Sequence, residues 1–229
     1  MRRLDETSAR NSSPPFFLKS ISKFLKRSSV KPINSFNLLR DMMLKEQDVR
    51  DEAVKLVAYL MSISARTAPK SKGEDDIEIV YADGAEKDRI AEKMIELEKE
   101  RKGFKRDGEN LKASSGVLLI GVSGGKTLGL NCGGCGYDCN TFPKDREKGK
   151  DFVGPNCIFK ILDLGIALGS AVKLASIINV DNRIMYRVGT AAKMLGIINS
   201  DVVMGIPLSS TGKSPFFDRL ETEKAKKKK

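Results

Sequence analysis

The 229-residue chain has no histidine and no tryptophan. Without histidine there is no Ser-His-Asp or Cys-His catalysis, no HExxH zinc hydrolysis, no His-ligated haem and no imidazole base. Aromatic residues are only 6% of the chain. No uninterrupted apolar run approaches the roughly 20 residues a membrane-spanning helix needs. Cysteine is scarce as well: there are four, all between positions 132 and 157. An extracellular disulfide framework spreads its cysteines along a shorter chain, so this clustering points to a reducing, cytoplasmic setting and a local metal site. What remains, 40% hydrophobic and 31% charged, is the balance of a globular protein with a real core.

The net charge of +11 is unevenly placed. Residues 1–50 hold 11 basic against 5 acidic residues, 218–229 hold 6 against 3, and the stretch between is nearly neutral at 24 against 22. Basic tails on a neutral body suit solubility or loose contact with polyanions, and no motif for specific nucleic-acid binding is present. Residues 1–40 are Ser-rich, with Pro14, Pro15 and Pro32, and read as a basic, mostly disordered extension. Phe17, Ile21, Phe24 and Leu25 fall on one helical face with lysines nearby, a weak organelle-targeting or membrane-surface pattern. Residues 220–229 form a Lys-rich, solvated tail.

Between the tails, 41–219 reads as one domain. Helical periodicity predicts helices over 36–64, 86–102, 157–178 and 183–195. Strands are predicted over 77–81, 117–122 and 201–206, the last stopped by Pro207. Residues 65–73 are a Pro/Gly-punctuated loop carrying Arg66, Lys70 and Lys72, and 132–142 a Gly- and Cys-rich loop. Asp181-Asn182 is the expected N-cap of its helix, and Asn182, Arg183, Tyr186 and Arg187 are its polar start. Gly165 and Gly169 are read as packing positions. Lys160, Asp163 and Lys173 interrupt the apolar helix 158–178 and exclude a membrane role for it. Helices outweigh strands and the strands lie too far apart for hairpins, which gives a layered α/β or α+β domain.

The strongest signal is Cys132-Gly-Gly-Cys135-Gly-Tyr-Asp-Cys139, followed by Gly154-Pro155-Asn156-Cys157. Glycines let such a loop adopt positive φ and turn N–H groups toward sulfur. The fourth cysteine stands at a helix start, where the dipole favours a thiolate. Four thiols with no histidine can hold [4Fe–4S], [2Fe–2S] or structural zinc. One CxxC knuckle instead of two favours the cubane cluster. Just upstream, Gly121-Val-Ser-Gly-Gly125-Lys126-Thr127 looks like a phosphate-binding loop. It has three residues where that motif has four and leads into a second glycine-rich loop, so it is read as a turn into the cysteine loop.

SISARTAPKSKG (62–73), GLNCGGCGYDC (129–139), GPNC (154–157), the 163–189 string and GIPLSSTGKSPFFDR (205–219) resemble the uncharacterised ferredoxin-domain family of archaea and bacteria. Its members carry an iron–sulfur domain. The resemblance covers roughly 40–219. A more distant resemblance is to flavin nitroreductases: a helix ending in Ala-Arg66-Thr-Ala-Pro69, then a strand and a charged helix, and later a strand closing on Gly205-Ile-Pro207. It implies an α+β fold, a nitroreductase-like α/β sandwich with the cysteine loop of 129–157 inserted. It also implies a homodimer with FMN at the subunit interface. Carried over by position, Arg66, Lys70 and Gly73 are flavin-loop candidates, and Gly205, Pro207 and Lys213 candidates on the far side. Lys70 and Gly73 depart from that pattern, standing where Ser and Asn occur. The plainer reading makes Arg66 and Lys70 a surface basic loop and pairs Asp163 with a neighbouring Arg.

Three functions stay open on these residues. The first is a [4Fe–4S] redox protein that becomes an FMN-dependent oxidoreductase if flavin is bound. The second is a non-enzymatic electron carrier that docks with a redox partner protein or a small-molecule electron acceptor, and the third a zinc-stabilised binding module. Any proton donor must be Tyr, Lys, Asp, Glu or water; Tyr137, inside the cysteine loop, is one candidate.

Overall fold

The computed structural model describes residues 45–217. The basic extension with its amphipathic segment, the first turns of the helix expected from residue 36, and the Lys-rich tail lie outside the described residues. In chain order the elements are α1 (Glu46–Thr67), β1 (Ile77–Asp83), α2 (Gly84–Leu97), α3 (Phe104–Lys112), β2 (Gly116–Val122), β3 (Glu147–Lys148), β4 (Val153–Gly154), α4 (Ile158–Ile177), β5 (Asp181–Asn182), α5 (Tyr186–Met194) and β6 (Val202–Ser209).

Strand β2, GVLLIGV, is buried at every residue because it offers no polar side chain to water on either face. It pairs antiparallel with β1 (Ile79 opposite Ile120) and with β6 (Met204 opposite Ile120). β5 adds to the far edge of β6, giving the order β1-β2-β6-β5. Side chains alternate along a strand, and two cores follow. Leu118, Ile120 and Val122 face α1 and α4, while Val117 and Leu119 face α2, α3 and α5. The body is therefore a helix–sheet–helix sandwich of mixed α+β class.

Local chemistry sets the boundaries. Glu46 and Asp48 lie in the first turn of α1, favourable to the dipole, and Val54, Val57, Ala58, Met61 and Ala65 form its buried stripe. The helix stops at Thr67 because Ala68 precedes Pro69 and turns extended, with ψ 139°. The helix expected over 86–102 ends at Leu97. After Gly103, at φ +92°, a separate helix α3 begins that the sequence pattern did not suggest. KRDGENLK carries too few apolar residues to show a stripe; Gly108 lets α3 approach the backbone of α2 at Ala91.

Three further expectations are corrected. Asp181-Asn182 does not cap α5; it forms β5, because the outer edge of β6 still has hydrogen-bonding groups to satisfy, and the Met185–Gly205 bridge continues that pairing up to the helix start. β6 does not stop at Pro207. Pairing from both sides carries it through to Ser209, and the Leu208 carbonyl accepts from Ser115 N–H at 2.9 Å. The small β3–β4 hairpin was not anticipated. It is held by the Arg101–Asp151 ion pair and by Val153 N–H on the Asp201 carbonyl.

Gly189 fixes the approach of α5 to β6: a Cβ there would land on the Val203 carbonyl. Gly189→Ala should therefore push α5 off the sheet and cost about 1–3 kcal/mol. Thermal denaturation should show the midpoint falling by roughly 2–4 °C per kcal/mol; an unchanged midpoint would contradict this packing.

Candidate metal centre

The cysteine loop leaves β2 at Val122 and returns at Cys157, the residue before α4. Its two ends are joined by the Cys157 N–H on the Gly124 carbonyl at 2.8 Å. The apparent phosphate loop is a turn, as read from sequence, and it is filled by the protein itself. A Cβ at Gly124 would meet the side chain of Asn156, and one at Gly125 the side chain of Arg146. Asp201 gathers these pieces. Its carboxylate accepts from Gly124 N–H and pairs with Arg146, both at 2.8 Å, and its own N–H donates to the Val122 carbonyl. Asn156 donates to the Val153 carbonyl at 2.7 Å. The backbone around Cys157 is therefore bound from two sides.

Cys157 is buried, Cys132 exposed, and Cys135 and Cys139 lie between; all four are free thiols. Gly133 (φ +67°) and Gly136 (φ +87°) make the CGGC turn, closed by Gly136 N–H on the Gly133 carbonyl. Asn131, also at positive φ, ties the loop's two ends together. Its N–H donates to Cys139 Sγ at 3.3 Å and its side-chain oxygen accepts from Cys139 N–H at 3.0 Å. The CGGC turn sits on the start of α4, since a Cβ at Gly134 would lie 2.9 Å from Ile158 Cγ2. Three thiols are thus carried in a loop seated beside the fourth. Among the described residues, no group of three or more His, Cys, Asp or Glu side chains has closed onto one point as a metal site. The donor set, four thiols with the Asn131 N–H on Cys139 Sγ, fits thiolate ligation of an iron–sulfur cluster or of zinc.

The loop's near end is clamped by the basic loop that follows α1. Lys72 donates to the Leu128 carbonyl at 2.6 Å, and Glu74 pairs with Lys126 at 2.8 Å. Lys126 is the main cause holding the Glu74 carboxyl below its usual range. On the α4 side, Lys160 is fully buried. Its ammonium lies 2.5 Å from Asp76 and donates to the Glu74 carbonyl at 3.1 Å. The plainer reading paired Asp163 with an arginine; the structure corrects it, for Asp163 accepts from Ser71 N–H and Ser71 Oγ, both at 2.9 Å. Four residues of one short loop, Ser71, Lys72, Glu74 and Asp76, thus reach both ends of the cysteine loop. That arrangement joins segments far apart in sequence, and no local pattern announces it.

Lys70 and Gly73 lie in that clamp loop; Arg66, expected in it, stands in the last turn of α1, which runs on to Thr67. Arg66 pairs with Asp75 at 2.7 Å and donates to the Ile77 carbonyl. Burial raises the Asp75 carboxyl, but the Arg66 hydrogen bond and the Ile77 N–H outweigh it and leave it below its ordinary range. The stability this pair gives is present at neutral pH and is lost as pH falls through the lowered value. Lys70 donates to the carbonyls of Ala65 and Arg66 and caps α1. Gly73, at φ +70°, has open space where a side chain would stand. Gly205 and Pro207 lie in β6, Gly205 packed against Val188. Lys213 follows in the closing loop. Of the polar start of α5, Arg187 pairs with buried Asp107 at 2.6 Å and Arg183 donates to the Phe216 carbonyl. Tyr137 stacks edge-on against Phe142. A cleft of about 200 Å³ between the β3–β4 hairpin and the end of α5 is lined by Lys148, Lys150, Asp151 and Lys193 among others, with no cysteine and no flavin candidate.

A helix–sheet–helix body carrying a four-thiol loop is the class of protein these features define. Residues 153–219 match the family described as "Uncharacterized protein containing a ferredoxin domain" (DUF2148). An uncharacterized protein of Archaeoglobus fulgidus is 57% identical over 180 residues, 78% of this chain and 98% of that protein. The chain belongs to this ferredoxin-domain family. Its neighbours among solved structures are nitroreductases. CinD from Lactococcus lactis, in complex with nicotinic acid, is 12% identical with a TM-score of 0.48 over 74% of this chain and 85% of CinD. The FMN-dependent nitroreductase NfnB from Mycobacterium smegmatis, in complex with NADPH, is 13% identical with a TM-score of 0.46 over 74% and 86%. No helix among the described residues is long and apolar enough to cross a membrane.

Lys160→Met would leave Asp76 facing an apolar side chain. Breaking a buried pair on one side costs about 3–5 kcal/mol, and less here, roughly 2–3, because Asp76 keeps some exposure to water. Urea denaturation should show that loss; a variant as stable as the parent would mean that Lys160 does not hold the clamp.

Proposed function

We propose that this protein is an iron–sulfur redox protein whose single domain, 41–219, holds one [4Fe–4S] cluster on Cys132, Cys135, Cys139 and Cys157. The observation that carries the reading is the placement of the CGGC turn, with its positive-φ glycines, against the start of the helix that Cys157 caps. Membership of a ferredoxin-domain family supports it. When bound, such a cluster supplies one-electron transfer. The chain's own part is to bind and shield. Cys157 anchors the buried side, the Asn131 N–H donates to Cys139 Sγ, and Cys132 lies on the exposed side, open to a partner. The electron would pass to or from a redox partner protein or a small-molecule acceptor. Four free thiols suit a reducing compartment, and we place the protein in the cytoplasm.

The same reading extends to flavin. With FMN on the 66–73 loop and the far side of β6, the chain would be an oxidoreductase; without it, an electron carrier. A homodimer belongs to the flavin form of this reading.

Anaerobically purified full-length protein should contain about four irons and four sulfides per chain with broad visible absorption. Cys139→Ser should lose most of that colour. Zinc without iron, or a Cys139→Ser variant with unchanged iron and absorption, would overturn four-cysteine ligation of an iron–sulfur cluster.

The flavin assignment is tested apart from the cluster. If Arg66, Lys70 and Gly73 form a flavin loop, Lys70→Ala should lower bound FMN several-fold while iron stays constant. Loss of the α1 cap alone costs only about 0.5–1.5 kcal/mol of stability. FMN content unchanged in Lys70→Ala removes that assignment.

A further inference from the structure

The cleft between the β3–β4 hairpin and the end of α5 has no part in the metal centre or in the flavin reading. Three lysines line it: Lys148 and Lys150 from the hairpin and Lys193 from the last turn of α5. The carboxylates around it are engaged elsewhere. Asp151, in the same lining, pairs with Arg101, and Asp201 pairs with Arg146. Glu78 accepts from Asn199 N–H, Ser200 N–H and Ser200 Oγ at 2.8–3.0 Å. Glu147 alternates with Lys148 and so belongs to the other face of β3. Among the described residues, no carboxylate pairs with any of the three ammonium groups. Three cations therefore share one concave site with no counter-ion of their own.

The walls of that site are fixed by the protein's own contacts. Gly149 N–H on the Phe152 carbonyl at 2.8 Å closes the hairpin turn. Arg101 holds its tip through Asp151 and the Lys150 carbonyl, and Val153 N–H ties its second strand to the Asp201 carbonyl. On the opposite wall Lys193 donates to the Ser200 carbonyl, which leaves two ammonium protons unused. Val153, Met194 and Ile198 make the remainder apolar, and Ile198 is fully buried. The volume is about 200 Å³. At about 30 Å³ per water that is the space of some seven waters, well under the roughly 300–1,000 Å³ of a drug-sized pocket. A nucleotide is excluded, while a phosphate with a few carbons fits.

We propose that this cleft binds a small organic phosphate monoester. Its phosphate sits among Lys148, Lys150 and Lys193, and its carbon body lies against Val153, Met194 and Ile198. A monoester carries nearly two negative charges at neutral pH, which answers three ammonium groups better than a single charge does. The lining also favours phosphate over carboxylate. Lysine binds phosphate as a point charge, whereas the planar fork of arginine matches a carboxylate, and no arginine is among the lining residues. Because the lysines come from two separate elements, the bound phosphate bridges the hairpin to α5. The hairpin ends at Gly154, three residues before Cys157, so the ligand fastens the last stretch of the cysteine loop to the body. None of this depends on the loop carrying a metal.

The experiment is calorimetric titration of propyl phosphate into the full chain, purified anaerobically, at about 50 mM salt to limit screening. One site with a Kd at or below about 1 mM is expected. Lys148→Gln and Lys193→Gln should each weaken binding by about 5- to 10-fold. Lys173→Gln, on α4 in the opposite helical layer, should leave it unchanged. Hydrogen exchange with propyl phosphate bound should slow over 147–154 and 193–199 and stay the same over α1. Inorganic phosphate lacks the carbon body and succinate lacks the phosphate; each should bind at least about 5-fold more weakly. No binding at about ten times the expected Kd overturns the proposal. So does binding that both the Lys148 and Lys193 variants leave intact, which would put the anion elsewhere, as on the basic tails. Equal affinity for inorganic phosphate or for succinate overturns the organic-phosphate assignment. Iron read on the same samples keeps this test apart from the redox reading: propyl phosphate bound by protein without iron would leave the cleft standing and sink the cluster, and iron without propyl phosphate binding would do the reverse.

Discussion

The ammonium of Lys160 has no contact with water, so its charge must be met from within the protein. Asp76 and the Glu74 carbonyl meet it, which fixes the segment just before β1 against the first turn of α4. That requirement draws in the rest of the clamp. Once 74–76 are fixed, Glu74 can hold Lys126, Lys72 can reach the Leu128 carbonyl, and Ser71 can bind Asp163. A buried ion pair is not a strong source of net stability, but breaking one is costly. Its effect here is to permit one arrangement of three segments that meet beside the cysteines.

The second fixed point is Asp201. It lies just ahead of β6 and binds the end of β2, Arg146 and, through Gly124, the N-terminus of the cysteine helix. The cysteine loop thus hangs between two polar nodes, each built on a rigid strand or helix. Such support is what a metal centre requires of the groups behind its ligands. The glycines at 133 and 136 supply the local turn, while the nodes supply its position.

Much of this was legible in sequence wherever one residue type determines the outcome. VLLIGV could only be a covered strand and the cysteine spacing defined the loop; the first helix, expected to end at 64, runs on to Thr67 and stops at Ala68-Pro69. Cys157 was placed correctly at a helix start. What escaped were structures made by partners distant in the chain. Helix α3 has little apolar signal of its own and forms because Phe104, Gly108 and Leu111 find places against α2. Asp181 and Asn182 have the chemistry of a cap, yet the edge of β6 claims them. The basic residues at 66, 70 and 72 look alike in sequence. In the structure they are an ion pair, a helix cap and a tether to Leu128, roles that charge alone does not distinguish.

The hydrogen bond between Cys157 and Gly124 has a consequence for assembly. It brings the two ends of a connection of some thirty residues together by protein contacts alone. The entropy of closing that connection is therefore met during folding of the body by protein contacts. Closure entropy grows slowly, by about 0.6 kcal/mol for each doubling of length. The span between the two ends can then change in length at little further closure cost while the sandwich beneath stays the same. The body is thus a frame closed in advance by its own contacts.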